Sequence, residues 1–568
     1  TEETAPQIAD ICRVLGGLPL AIELLVPRVK VFPTPEQLLR QLLKQRRKHK
    51  LLDMLTCARS DMPERHRALA TTFNLTYALL SQEEQRFFRQ LSIFHGSFTQ
   101  EAAEIVCSSS YAAGSSTLDM IQSLYETGLL YCHDSRSPEP RHALLPPLRE
   151  FGSILLESAG EVEDTHKRYQ KYYLHLAEQS EPGHRGRKQL AWEDLLEDEH
   201  DNLRAILSWC WKTGNTAQGL QLACNLLWFW FTRGYWREGR DWLNTFLSQT
   251  DSPVPSAILA KANFAAAYLA FFQGDVGLHT QTQLKQSIEL YQEVGDNAGR
   301  AYAQTMYAMV DFDPTTSRAL IEESITIFRS LGNSWAIGWA LIFLGYIINK
   351  QDGWEQARII FEEGQALSRK IGDKHGIAWS SLNLGDVAYF EGNYQAAAKH
   401  YRTSLAGFRE MKNELGIAWA QCSLANTQLR LSNYKAASKE YEESLYTSHE
   451  RLQDKIGTYG CLVGIAELFI KEQCWKQAAI TLGAARQVFE TFDKRQLLRP
   501  TANLEALEAV LCKRLKEEVF TRLVSRGYDT STEAAIQYVL DELHQLVFPR
   551  EEEKKNMPEH IHVVRAHA

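Results

Sequence analysis

Between residues 331 and 492 a stretch of about forty residues recurs, and each copy repeats the same residue types at the same positions. Gly332-Asn333, Gly372-Asp373 and Lys412-Asn413 open successive copies, Trp339, Trp379 and Trp419 follow at intervals of 40, and Gly345, Gly385 and Ala425 come next. After a turn each copy resumes with an aromatic and an alanine: Trp354 and Ala357, Tyr394 and Ala397, Tyr434 and Ala437, then Trp475 and Ala478 after one inserted residue. Two antiparallel helices per copy are implied. One such pair cannot bury its apolar face alone, whereas stacked pairs share a continuous core through neighbour contacts. A chain of 568 residues is too long for a single core, and a solenoid takes up the length.

Leu384-Gly385 on the first helix and Ala397 and Tyr401 on the second have the order and spacing of the tetratricopeptide consensus. The region therefore resembles tetratricopeptide repeats of the longer, roughly 40-residue kind. Within a copy Ala378, Ser381, Gly385 and Ala388 form a small stripe that must face a neighbouring helix. Trp379, Leu382, Asp386 and Tyr389 lie on another face. In tetratricopeptide arrays that second stripe lines the concave groove. The resemblance thus implies a groove of Trp339, Trp379, Leu382, Asp386, Tyr389, Trp419 and Tyr459, suited to a peptide, protein or small-molecule effector. The other reading is that the tryptophans fill gaps between helices, as large aromatics at helical spacing commonly do.

At the other end, residues 8–15 read as a helix ended by Gly16-Gly17, after which Pro19 starts another. The words Gly17-Leu18-Pro19-Leu20-Ala21 and Ile22-Glu23-Leu24 resemble the GLPLA motif of signal-transduction ATPases with numerous domains (STAND), which include NB-ARC and LuxR-type regulators. In that family the motif closes an ARC-type helical subdomain behind the nucleotide-binding domain, and its proline packs on adenine. By resemblance Gly17, Leu18 and Pro19 are the cofactor-side residues. Turn chemistry alone would also select them. No G-x-x-x-x-G-K-[ST] loop occurs, so no cofactor is expected in this chain. ATP or ADP with magnesium is expected only of a longer parent, its ATPase core before Thr1. Residues 28–67 carry eleven Lys or Arg and four acids, a phosphate-binding cluster or a solvated linker.

Residues 63–160 alternate short helices (68–80, 83–91, 99–107, 117–126) with two apolar runs, 129–133 and 142–145, about a wing at 135–140. Ser81-Gln82-Glu83-Glu84 is a capping box. Leu79-Leu80-Ser81, Phe87-Phe88, Leu91-Ser92-Ile93-Phe94 and Gly96-Ser97-Phe98-Thr99 resemble the winged-helix subdomain that follows GLPLA in this family. Where many members carry Met-His-Asp this chain has Leu144-Leu145-Pro146, with His142 slightly earlier, a departure that removes the usual diphosphate sensor. The third helix carries Asp119, Gln122 and Glu126 and no Lys or Arg, the wrong charge for reading DNA. Glu197-Asp198-Glu199-His200-Asp201-Asn202-Leu203-Arg204 resembles the family's passage into its repeats.

The expected fold class is all-α, a tetratricopeptide-like α-solenoid preceded by a small winged-helix domain with a short β-hairpin. The expected divisions are 1–62 (end of the ARC-type subdomain and linker), 63–160 (winged helix), 161–490 (solenoid), 491–548 (capping helices) and 549–568 (disordered tail). One copy is short, because Gly295-Asp296 precedes Gly332-Asn333 by only 37 residues, and the missing residues fall near 311–314. The tail histidines His560, His562 and His567 lack spaced partners for a metal site.

A formal charge of −8 with 44% apolar residues excludes a dedicated nucleic-acid binder. Ten cysteines without a C-x-x-C pair fit reduced thiols and a cytoplasmic location. No membrane span, catalytic triad, G-x-S-x-G or H-E-x-x-H is found. The expected function is therefore not enzymatic. The chain reads as the regulatory part of a STAND-type ATPase whose solenoid binds a ligand or partner and controls the nucleotide-binding domain, with oligomerisation on activation. A passive tetratricopeptide scaffold without nucleotide coupling is the alternative.

Overall fold

A computed structural model describes residues 4–19, 21–22, 24–25, 32, 34–47, 51, 69–107, 116–133, 139–249, 253–311, 313–349, 353–492 and 503–547. Residues 48–50 of the basic cluster, most of the expected wing and the tail from 548 lie outside them. The chain divides into two compact units: Thr1–Gln179 with Ala191–Thr213, and Ser180–Leu190 with Gly214–Ala568.

In the first unit the helix Ala5–Val14 ends in a turn where Gly16 and Gly17 both have φ near +67°. A Cβ at Gly16 would stand 3.1 Å from Leu145 and Pro146, so only glycine fits both the conformation and the contact. The helix Gln82–Leu91 starts on the expected box, with Ser81 Oγ accepting from Glu84 N and Glu84 accepting from Ser81 N at 2.7 Å. A second box, Ser116 with Asp119, starts the helix Thr117–Glu126. Strands β1 (Tyr131–His133) and β2 (Arg141–Ala143) pair antiparallel with Cys132 opposite His142. A further bridge joins His142 to Phe98. Phe73, Phe87, Phe88 and Phe151 fill the space between the helices.

The sequence reading began the solenoid at 161, but the helix Val162–Gly183 as far as residue 179 and the helix His200–Thr213 group with the first unit. The reason is a buried polar cluster. Arg141 is wholly buried, donating to Ser97 Oγ at 2.8 Å and to Glu199 Oε1 at 2.6 Å. Glu199 Oε2 accepts from Tyr173 Oη at 2.6 Å and from Asn202 Nδ2 at 2.7 Å. Asn202 Oδ1 in turn accepts the backbone N–H of His95 and Gly96 at 2.9 and 3.0 Å. A cluster of this kind holds only if every member is satisfied, which ties these helices to β2.

The second unit is the solenoid. Its helix pairs are Ser256–Phe272 with Leu278–Val294, Asn297–Asp311 with Pro314–Ser330, Ser334–Asn349 with Trp354–Ile371, and Lys374–Phe390 with Tyr394–Glu410. Glu414–Arg430 with Tyr434–Tyr446 and Lys455–Lys471 with Trp475–Phe489 complete them. The first helix of each pair is buried almost all round, while the second is amphipathic. Asp296, Asn333, Asp373, Asn413 and Asp454 each accept a backbone N–H of the first turn that follows. These N-caps start every first helix of the array from Asn297 onward. The short copy is accounted for by a first helix of 15 residues, against 17 in Lys374–Phe390, and by a two-residue turn before Pro314. A Cβ on Gly385 would lie 2.6 Å from the Tyr401 ring, the close approach that lets the two helices of a copy pack. The helices Leu504–Arg514, Glu517–Asp529 and Thr532–Val547 cover the last copy with Leu511, Val524, Ile536, Val539 and Leu543.

Candidate functional site

The small residues on each first helix pull the second helix close, which leaves the bulky residues of the first helices to meet across the inner face. Trp228, Tyr268, Tyr302, Trp335 and Trp339 form one aromatic cluster there. Trp228 meets Trp335 edge-on at 5.0 Å between ring centroids, Trp335 stacks with Trp339 at 6.4 Å, and Tyr302 lies 5.5 Å from Trp339. Tyr268 is 5.2 Å from Trp228. Edge-to-face arrangements of this kind leave the negative face of a ring free to attract a cation.

A cation is present. The Arg185 guanidinium lies over the Trp335 ring, 5.1 Å from its centroid, and Arg185 Nη2 donates to Glu181 Oε1 at 2.9 Å. Burial raises the Tyr302 phenol, with the charge of Arg185 pulling the other way. Arg185 belongs to residues 180–190, a stretch held along three copies of the array. Glu181 Oε2 accepts from Lys261 Nζ at 2.6 Å, and Lys261 also donates to Asn225 Oδ1 at 2.8 Å. At the far end Gln189 Nε2 donates to Asp373 Oδ1 at 2.6 Å, and Gln189 Oε1 accepts the Lys374 N–H at 3.0 Å. Burial holds the Asp373 carboxyl above its ordinary range, although the Gly376 N–H and Gln189 bonds oppose this. A side chain at Gly372 would meet the Arg187 stem at 2.4 Å.

The residues expected to line a groove divide. Trp339 belongs to the aromatic cluster. Trp379 is half-buried and packs on Phe408 at 4.8 Å and Trp419 at 5.8 Å. Trp419 is buried and donates from Nε1 to Asp454 Oδ2 at 2.6 Å. Leu382 and Asp386 are not on an open face. Both are buried, and Asp386 Oδ1 accepts from Tyr401 Oη at 2.7 Å inside its own copy, a clasp repeated by Asn426 and Tyr441 at 2.6 Å. Tyr389 is half-buried and its hydroxyl accepts from Arg430 Nε at 3.0 Å. Tyr459 is buried against Phe489 at 5.0 Å. Sequence reasoning missed Trp335, Tyr302 and the stretch 180–190, because nothing in a forty-residue period marks a partner outside the repeats.

In the first unit Gly17 and Pro19 are exposed and Leu18 is half-buried. The helix Thr117–Glu126 buries Met120, Ile121 and Leu124, and Gln122 donates to Glu126 across one exposed turn. Among the described residues no group of His, Cys, Asp and Glu is placed to hold a metal, and no helix is long and apolar enough to cross a membrane.

The tetratricopeptide-repeat family profile matches residues 336–410. A Mycobacterium bovis protein, named as a candidate HTH-type transcriptional regulator, is 28% identical over 349 residues, 60% of this chain and 38% of its own length. The chain thus spans about two fifths of that relative. Among solved structures, a Rap protein complexed with competence and sporulation factor matches with TM-score 0.44 and 15% identity, over 66% of this chain and 99% of its own. A signal transduction ATPase with numerous domains and a tetratricopeptide repeat sensor, from Pyrococcus horikoshii, matches with TM-score 0.40 and 13% identity, over 91% and 73%. The fold of the second unit is a tetratricopeptide-type α-solenoid.

Proposed function

We propose that this chain is the sensor and regulatory region of a STAND-type signal-transduction ATPase: the end of an ARC-type helical subdomain, a winged helix and a tetratricopeptide solenoid. The solenoid takes a ligand or partner, and the ligated state releases a nucleotide-binding domain to exchange nucleotide and oligomerise. Ligand can drive such a change only by binding the two states with different affinity.

The observation that carries this reading is the Gly16-Gly17 turn. It sets Gly16 against Leu145 and Pro146 while leaving Pro19 exposed, so the adenine-side residue of the GLPLA word faces outward beside the segment where the family carries its diphosphate sensor. The chemistry is switching, and no step of catalysis is assigned to any residue. The wing is not a DNA reader on this account, since the helix Thr117–Glu126 exposes Asp119 and Glu126 and carries no Lys or Arg.

Two measurements test the reading. The sequence encoded upstream of Thr1 is expected to carry a phosphate-binding loop of the G-x-x-x-x-G-K-[ST] type, and its absence there favours a scaffold without nucleotide coupling. Isothermal calorimetry of this chain with ATP is expected to show no tight binding, because only the adenine side is present. Micromolar binding by the chain alone would overturn the division of roles.

A further inference from the structure

Residues 181–189 read Glu-Pro-Gly-His-Arg-Gly-Arg-Lys-Gln and contain no apolar side chain apart from Pro182. Yet His184 and Gln189 are buried, and the stretch is fastened at Lys261, at Trp335 and at the cap of Lys374–Phe390. A segment recruited only to fill the inner face would bring apolar bulk, since polar contacts in a desolvated place give little net stability. What these residues bring is one guanidinium over an indole, one carboxylate on an ammonium and one carboxamide bonded to a carboxylate and a backbone N–H. Those are the contacts by which a groove reads a peptide: a buried anchor and fixed polar partners around it.

We infer that residues 181–189 occupy in cis a peptide-recognition groove of the solenoid. Its ligand is a linear polypeptide presenting an arginine to the ring of Trp335, and capture of that ligand requires the internal segment to leave. The inference rests on the reading of the solenoid as a recognition surface and is independent of any nucleotide coupling. The chain leaves the first unit after Gln179 and re-enters it at Ala191, so the segment is tethered at both ends. Tethering gives it an effective concentration on the order of millimolar. An outside peptide with the same contacts therefore binds weakly until the internal copy is weakened. Asp373 contributes twice, as the N-cap of its helix and as the acceptor for Gln189, so occupation of the groove is sensed at a helix start.

The probe is a fluorescent synthetic peptide of residues 180–190, titrated by polarisation against the wild-type chain and against the Arg185→Ala/Gln189→Ala variant. The variant is expected to bind it at least tenfold more tightly than the wild type. A peptide with alanine in place of its arginine is expected to lose that binding, as is the variant chain with Trp335→Ala added. Equal affinity for both chains, no binding by either, or indifference to the arginine overturns the proposal. Should the variant fail to fold, hydrogen exchange of the wild-type chain with excess peptide decides the matter. Amides of 181–189 are expected to lose protection as peptide is added, and unchanged protection at saturating peptide overturns the proposal. Peptide binding in a chain that shows no nucleotide coupling would refute the switch and leave the groove assignment standing.

Discussion

Arg141 and Glu199 stand 2.6 Å apart with 0% and 1% of their side chains exposed, an ion pair closed off from water. Taking away one partner leaves the other charge buried and uncompensated, which costs about 3–5 kcal/mol. Glu199→Ala is therefore expected to lower the melting temperature of the first unit sharply. Glu199→Gln keeps an acceptor for Tyr173 and should lose less. Differential scanning calorimetry of the two variants checks the order, and a neutral Glu199→Ala would show that the cluster is not holding these helices to β2.

The tryptophans of the array differ in what fastens them. Trp419→Phe removes the bond to Asp454, whose buried carboxylate also accepts the Ile456 and Gly457 N–H groups, and is expected to cost about 1–3 kcal/mol. Trp379→Ala opens a space beside Phe408 and Trp419 and should cost about 3 kcal/mol, the low end for an aromatic because the ring is half-buried. Denaturant unfolding measures both. A Trp379→Ala chain as stable as the wild type would mark that ring as free for a ligand.

Lys412 has φ 53° at the position where Gly332 and Gly372 open the preceding copies. A side chain in the left-handed region costs roughly 1–2 kcal/mol, partly offset because glycine frees the unfolded chain. Lys412→Gly is expected to stabilise the array by up to about 1 kcal/mol. A shift of the urea midpoint to lower denaturant would contradict this.

His166 lies flat on Trp209, ring centroids 3.7 Å apart, and burial together with Lys212 pushes its imidazole down to about 4 from 6.5. The folded state keeps this ring neutral while the unfolded chain takes up a proton near pH 6.5. Stability is therefore present above pH 6.5 and falls as the pH is lowered toward 4. His166→Phe, which preserves the stack, should flatten that part of the stability profile. Melting temperatures of both chains between pH 7 and 4.5 give the comparison, and parallel profiles would rule out this histidine as a source of acid sensitivity.

The repeat was legible because its chemistry is local. Caps, small residues and aromatics recur within one copy, so helix pairs, the short copy and the helices 82–91 and 117–126 fall within a residue or so of their expected places. The stripe reading of the first helix was less successful. Lys374–Phe390 is enclosed on all sides, so Leu382 and Asp386 cannot be told from lining residues by periodicity. The two decisive polar clusters were invisible for another reason. Glu199 and Asn202 were noticed as a word, but their partner Arg141 lies 58 positions before Glu199, and Gln189 lies 184 before Asp373. Pairings at such separations are set by the packed fold and carry no period.

Asp454 also decides where the array can come apart. A boundary between folded and unfolded copies placed ahead of Lys455 must break an indole bond and two backbone caps at one carboxylate, whereas a boundary ahead of Glu414 relieves the left-handed lysine at 412. In a one-dimensional stack whose stability is summed over neighbours, such differences choose the site of partial unfolding. The last two copies therefore behave as one block, and fraying from the carboxyl-terminal end halts between Met411 and Glu414 rather than inside it.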